Sequence, residues 1–153
     1  MCPNAASHAF RVVLLALVAV LACVGVASAA GASPHVSVYF LRGEQLASVQ
    51  RQGSSSLDAM RELLAGPTPA ERAEGFRTYL PARTRLLNVN VAHGVATVDL
   101  NEPFASGSDS ESLLARLSQV VRTLTGPEGA TKVQLLVNGR VVTARFPGIS
   151  LSP

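Results

Sequence analysis

Residues 86–104 read LLNVNVAHGVATVDLNEPF, and the reading of this stretch decides the fold. Leu87, Val89 and Val91 alternate with Asn88, Asn90 and Ala92; after His93-Gly94, Ala96, Val98 and Leu100 alternate with Thr97 and Asp99. A period of two with one apolar face marks a half-buried strand. A two-residue break ending in glycine between two such runs makes a tight reversal. The stretch is therefore a β-hairpin with one face against a core, ended by Asn101-Glu102-Pro103-Phe104.

Working towards the N-terminus, helices precede the hairpin. Leu80-Pro81 is a turn or an extended approach to it. Thr68-Pro69-Ala70-Glu71 opens a short helix that ends at Gly75, with Thr68 as cap, Pro69 in the first position and Glu71 as the partner of a capping box. Before it, Leu57, Met60, Leu63 and Leu64 recur at helical spacing behind the serines 54–56, any of which can cap the helix: Ser55 with Asp58, or Ser56 with Asp58 and Ala59 in the first turn, suits its start. Gly66-Pro67 stops that helix. Earlier still, Val36, Val38 and Phe40 alternate with Ser37 and Tyr39 to give a strand over His35–Leu41. After the turn Arg42-Gly43-Glu44, Leu46–Gln50 is expected to return beside it.

Towards the C-terminus, the polar loop Ser106–Ser112 caps a long helix. Leu113, Leu117, Val120, Val121 and Leu124 form its apolar stripe, and Arg116, Gln119 and Arg122 are placed on the opposite, solvent face. Thr125-Gly126-Pro127 stops it, Val133, Leu135 and Val137 form another strand, and Asn138-Gly139 turns the chain back over Arg140–Phe146. Hairpins separated by helices predict an α+β fold: a two-layer sandwich with a mixed or mainly antiparallel sheet and helices on one face. No internal repeat is present.

Composition bounds the class. The chain is 48% hydrophobic, 15% charged and 5% aromatic, which excludes a disordered polyelectrolyte, a collagen and a coiled coil. Its formal charge of +3, without a basic stripe, is too small for a nucleic-acid footprint. Lys132 is the single lysine among the basic residues.

The apolar excess is concentrated at the start. Arg11 precedes the run VVLLALVAVLAC, and Val12–Ala30 carries no charge, the pattern of an export signal over residues 1–29. Two exits compete. Ala27-Ser28-Ala29 is an A-x-A cleavage site, with processing after Ala29. Val20-Leu21-Ala22-Cys23 is similar to a bacterial lipobox, in which Cys23 is acylated and becomes the new N-terminus, holding the domain on the outer face of a membrane. An uncleaved anchor is the third fate. Residues 30–34 form a linker, 35–147 a single domain and 148–153 a tail. Both cysteines, Cys2 and Cys23, lie in the leader, so a disulfide framework cannot support the domain.

Asp99 and Glu102 are carboxylates at a strand end, a pairing suited to acid–base work but more simply read as a turn cap and a solvated side chain. His35 and His93 lack the spacing of metal ligands. Arg72, Arg77, Arg83 and Arg85, offset by Glu71 and Glu74, could face an anionic surface; scattered charges more often form a solvated face. The acidic loop Asp109–Ser112 reads as a helix cap rather than an anion site. Neither a nucleophile-elbow G-x-S-x-G nor a phosphate-binding glycine loop occurs. No catalytic, cofactor or metal residue is assigned; Cys23, as a lipidation site, is the one candidate.

Four ordered segments together resemble the GerMN domain family. Leu63-Leu64-Ala65-Gly66-Pro67, followed by Glu71, Gly75 and Leu80-Pro81, is similar to its LL-x-GP…P opening; Leu86–Phe104 resembles its central hairpin. Gln119–Thr125 resembles its Q-x-V-x-T-L-T helix, and Val133–Gly139 its V-x-i-l-v-d-G strand. The likeness covers nearly all of residues 35–145. Arg122 stands where the family often has Tyr, and His93 where it has Asp or Asn in the hairpin turn. The resemblance implies a small α+β unit similar to ring-building motifs. It also implies a non-enzymatic, extracytoplasmic and often lipid-anchored module of proteins related to sporulation and germination.

The expected function is accordingly an exported cell-envelope interaction module, on the outer face of the cytoplasmic membrane or secreted. Its expected partner is an envelope protein, or a second copy meeting it at a sheet edge. It would touch the membrane only through an N-terminal anchor and would bind no nucleic acid and no cofactor. The alternative is an extracytoplasmic domain for a small ligand or cell-wall glycan. The absence of Trp and the presence of two Tyr weigh against a stacked sugar platform.

Overall fold

The computed structural model describes residues 33–107 and 109–142. The expected leader with Cys23 and its competing exits, the end of the returning strand (143–146) and the tail lie outside the described residues. The described residues belong to one compact unit.

Strand β1 (His35–Arg42) buries Val36, Val38 and Phe40, the alternating set read from the sequence. It pairs antiparallel with β2 (Gln45–Gln52) in an unbroken register from His35↔Gln52 to Arg42↔Gln45, so the second strand is longer at both ends than expected. Helix α1 (Ser56–Ala65) starts in a reciprocal capping box between Ser55 and Asp58. Its first turn gains a second carboxylate: Glu128 Oε2 accepts the Ser56 N–H at 2.8 Å, placing negative charge at the positive end of the helix. The buried face of α1 is Ala59, Met60 and Leu63, whereas Leu57, expected on the apolar stripe, is exposed at the first turn. Gly66, at φ +78°, ends the helix, and Thr68 and Glu71 form the capping box of helix α2 (Pro69–Ala73).

A short strand not anticipated from the sequence follows. β3 (Phe76–Arg77) pairs with Leu41 and Arg42 on the far edge of β1. Next comes the central hairpin, β4 (Leu86–Ala92) and β5 (Val95–Leu100), turning through His93 and Gly94, both at positive φ. Two successive left-handed residues are the geometry that matches the twist of a two-residue hairpin. One expectation fails here. Leu87 was placed on the buried face of β4, yet it is 53% exposed. The ladder pairs Leu86 with Leu100 and Asn88 with Asp99, so Leu87 is the extra residue of a bulge. One inserted residue inverts the parity of a strand, and Leu86 packs on the core in its place.

A single-turn 3-10 segment, Glu102–Phe104, buries Phe104 and leads to helix α3 (Ser110–Leu124), capped by Asp109, whose side chain accepts the Ser112 N–H. A second such segment, Pro127–Gly129, precedes β6 (Lys132–Val137). β6 lies parallel to β5 in the register Ala96↔Val133, Val98↔Leu135 and Leu100↔Val137. Parallel neighbours require a crossover, and α3 supplies it. β7 (Arg140–Val141) returns through Asn138-Gly139, and Val142 continues the ladder with its N–H on the Leu135 carbonyl at 2.9 Å.

The fold is α+β with mixed, mainly antiparallel pairing. The strands divide between two sheets, in the orders β2-β1-β3 and β4-β5-β6-β7. Helix α1 packs on β1 and β4, and α3 on β1, β6 and α1, so both sheets share one core. Phe40, Met60, Leu63, Leu100, Phe104, Leu117, Leu124 and Leu135 are its largest fully buried apolar side chains. Each contributes about 2 kcal/mol of hydrophobic stabilisation. Among the described residues no helix is long and apolar enough to cross a membrane.

Candidate functional site

The acidic and histidine candidates occupy structural positions. Asp99 Oδ1 accepts the Gly139 N–H at 3.0 Å, and Glu102 Oε2 meets Asn138 Nδ2 at 3.4 Å, so both carboxylates attend the β6–β7 turn. His35 opens β1 on the surface, and His93 is the exposed left-handed residue of the hairpin turn. Among the described residues no three His, Cys, Asp or Glu side chains are grouped so as to hold a metal ion. Asp109, at the N-terminus of α3, is the helix cap expected of its loop, and the Ser112 N–H it accepts holds its carboxyl below the ordinary value.

The arginine group does not form a patch around its neighbouring acids. Glu71 is taken by Arg51 of β2 in a two-pronged pair, with Nη1–Oε1 and Nη2–Oε2 both 2.6 Å, and Arg51 Nε also reaches Glu62 of α1 at 3.2 Å. One guanidinium therefore ties β2 to α1 and α2. The Arg51 hydrogen bonds, with the Thr68 N–H behind them, lower the Glu71 carboxyl to about 2. Arg72 turns back onto the Pro67 carbonyl, while Arg77, Arg83 and Arg85 remain exposed.

Helix α3 buries polar side chains that its hydropathy pattern places outside. Arg116 and Gln119, assigned to its solvent face, are 7% and 0% exposed, and Thr123 is 0% exposed. Spacings of three and four align the three side chains on one helix face, and each bonds backbone groups of neighbouring segments. Thr123 Oγ1 accepts the Tyr39 N–H at 3.1 Å, and Gln119 Nε2 donates to the Tyr39 carbonyl at 3.2 Å. Gln119 also accepts the Tyr79 N–H at 2.9 Å and donates to Thr78 Oγ1. Arg116 donates to the carbonyls of Tyr79, Phe104 and Ser106 at 3.0, 2.8 and 3.2 Å. The side chains of α3 thus close the edge of β1 where β3 stops. The signal was present in the sequence, since Gln119 and Thr123 are the Gln and the first Thr of the Q-x-V-x-T-L-T segment. Arg122 does lie outside, stacked over the Tyr39 ring at 5.3 Å.

Next to this clamp lies an open groove of about 770 Å³ between the β1–β2 turn and the first half of α3. Leu41 and Leu46 come from the hairpin, Tyr79 from the segment after β3, and Leu114 from the helix. Tyr79 and Leu114 are 43% and 38% exposed, so the groove offers apolar surface to solvent. Glu44 and Glu111 are its carboxylates. Apolar walls with a few polar groups suit the seating of a side chain or an extended segment. Bond-making chemistry would call for a nucleophile, a base and an orienting group in mutual contact. Among the described residues the groove holds no hydrogen-bonded ionisable pair.

Together these elements define a small α+β domain whose buried polar side chains Arg116, Gln119 and Thr123 bond its own backbone. The family model described as "Germane: Sporulation and spore germination" matches residues 37–143. The chain belongs to this family, as its resemblance to GerMN domains implied. Among solved structures it is similar to the first GerMN domain of the sporulation protein GerM from Bacillus subtilis, with a TM-score of 0.57 at 23% identity over 71% of this chain and 85% of that one. The tandem GerMN domains of the same protein give a TM-score of 0.55 at 25% identity, covering 71% of this chain and 40% of theirs. A "Putative Lipoprotein" from Clostridium perfringens gives 0.51 at 20% identity, covering 71% and 76%. No curated protein matches the chain.

Proposed function

We propose that this chain is an exported, non-enzymatic GerMN-type interaction module of the cell envelope, related to sporulation and germination proteins and attached through Cys23 or released after its leader. The groove carries this reading: it presents Tyr79 and Leu114 to solvent beside a helix whose ionisable core residue, Arg116, is fully engaged in holding backbone. Membership of the Germane family and likeness to GerM domains and a "Putative Lipoprotein" support an envelope setting. The uncharged run Val12–Ala30 supports export.

Leu114→Arg tests the recognition face. Capture of an envelope protein by the domain beginning at Ser33 is expected to fall at least tenfold while the melting temperature stays unchanged. Unaltered capture would remove the groove from the reading. Cys23→Ser in the full chain tests the tether: the product is expected to move from the detergent to the aqueous phase, and retention in detergent would exclude acylation as the anchor. The groove volume also lies in the range of small-ligand sites, which favours the alternative of an extracytoplasmic ligand- or wall-binding domain. Saturable binding of a soluble wall fragment, lost in Leu114→Arg, would select that alternative.

A further inference from the structure

Strand β2 ends the three-stranded sheet, and the ladder shows which of its backbone groups face outward. Gly53 N–H bonds the Pro34 carbonyl, which makes that pair hydrogen-bonded. Bonded and non-bonded pairs alternate along an antiparallel ladder. The pairs Ser37↔Gln50, Tyr39↔Ser48 and Leu41↔Leu46 are therefore non-bonded. The far side of β1 agrees: Tyr39 bonds α3 with both its backbone groups, and Leu41 pairs with β3. Leu46, Ser48 and Gln50 must then direct their own N–H and C=O away from β1. Among the described residues a single contact reaches these groups, a 3.5 Å approach of Arg51 Nη1 to the Gln50 carbonyl. Ser48 and Gln50 are exposed.

Soluble proteins guard such an edge with lysine, proline, a bulge or an inward charge. β2 reads QLASVQRQ, pairs with β1 without a bulge and contains neither lysine nor proline. Its one charge, Arg51, is compensated by Glu62 and Glu71 of its own chain.

Building on the reading of the chain as an interaction module, we infer that β2 is a homotypic docking edge. It pairs antiparallel with β2 of a second copy about a two-fold axis at Ser48. Ser48 meets Ser48, Leu46 meets Gln50, and Ala47 meets Val49. The outward N–H and C=O groups of Leu46, Ser48 and Gln50 then exchange bonds in both directions. Ala47 and Val49 are half-buried against the core in one copy, and pairing extends their apolar row across the junction. With Arg51 already neutralised, the two edges meet without like-charge repulsion. The product is a six-stranded sheet in the order β3-β1-β2-β2-β1-β3.

The test uses the domain beginning at Ser33, which contains the whole hydrophobic core and no cysteine. One strand pair buries less than a standard interface of about 1,200–2,000 Å², so sedimentation equilibrium is run up to about 1 mM, the range of weak association. A monomer–dimer equilibrium is expected. Ser48→Lys, which sets two ammonium groups opposite each other across the axis, is expected to weaken it at least tenfold without lowering the melting temperature. Ser48→Cys is expected to form a disulfide dimer on mild oxidation, whereas Asn90→Cys on β4 stays monomeric. A monomer at the highest concentration, association indifferent to Ser48→Lys, or equal cross-linking at Asn90 each overturns the proposal. A domain that is monomeric yet still captures an envelope protein through its groove sinks this inference and leaves the module reading standing. A domain that dimerises through β2 but captures nothing does the reverse for hetero-association.

Discussion

Two side chains show how much depends on single groups. The Glu71 carboxylate caps α2 and clamps Arg51, and its folded-state value of about 2 lies below the ordinary 4.5. A carboxyl depressed by folding stabilises the native state above its unfolded value, and that stability is lost as the pH falls through its folded value. The contribution is therefore complete above about pH 5 and fades towards pH 2. After allowance for solvent screening it amounts to about 1–2 kcal/mol. Urea titrations at pH 7 and pH 2.5 should show this difference narrowed in Glu71→Gln. Gln119 is the second case. Gln119→Leu keeps the volume but strands the Tyr39 carbonyl and the Tyr79 N–H in the core, each of which costs about 1–3 kcal/mol unpaired. A loss of about 2–4 kcal/mol in urea midpoint analysis is expected, where a solvent-face glutamine would lose almost nothing. Hydropathy alone points Gln119 outward. It is buried because the edge of β1 lacks a strand there and its backbone must bond something.

Elements with a period were legible; those that break a period were not. The capping box of Thr68 and Glu71, the turns at His93-Gly94 and Asn138-Gly139 and the alternation of β1 and β5 follow from local chemistry, and the structure has them where the sequence places them. β3, with two residues, is too short to show any alternation. In β4 the alternation itself misleads, because the bulge at Leu87 exchanges inside and outside. Leu87→Ala is therefore expected to change stability by less than about 0.5 kcal/mol, as surface substitutions do. Leu86→Ala, a truncation against the core, is expected to cost about 1–2 kcal/mol at its half-buried site. Equal losses in denaturation of the two variants would contradict the bulge.

For the molecule as a whole, the α+β class and the family were open to reading from one chain of residues, and the groove was not. Its walls come from β1, β2, the segment after β3 and α3, more than 70 positions apart in sequence, and each wall residue taken alone is an ordinary leucine, tyrosine or glutamate. The exposed edge of β2 belongs to the same scale, since a strand is an edge only relative to the sheet that contains it.

Local sequence sets where helices begin and end, which strands turn back on their neighbours, and that a core forms without disulfides. These are consequences of caps, turns and periodicity within a few residues. Tertiary structure alone decided that the strands form two sheets, that Arg116, Gln119 and Thr123 face inward, and which surfaces remain for recognition. Backbone groups at a strand edge need partners, and the supplier is set by what packs beside the edge rather than by what lies next to it in the chain.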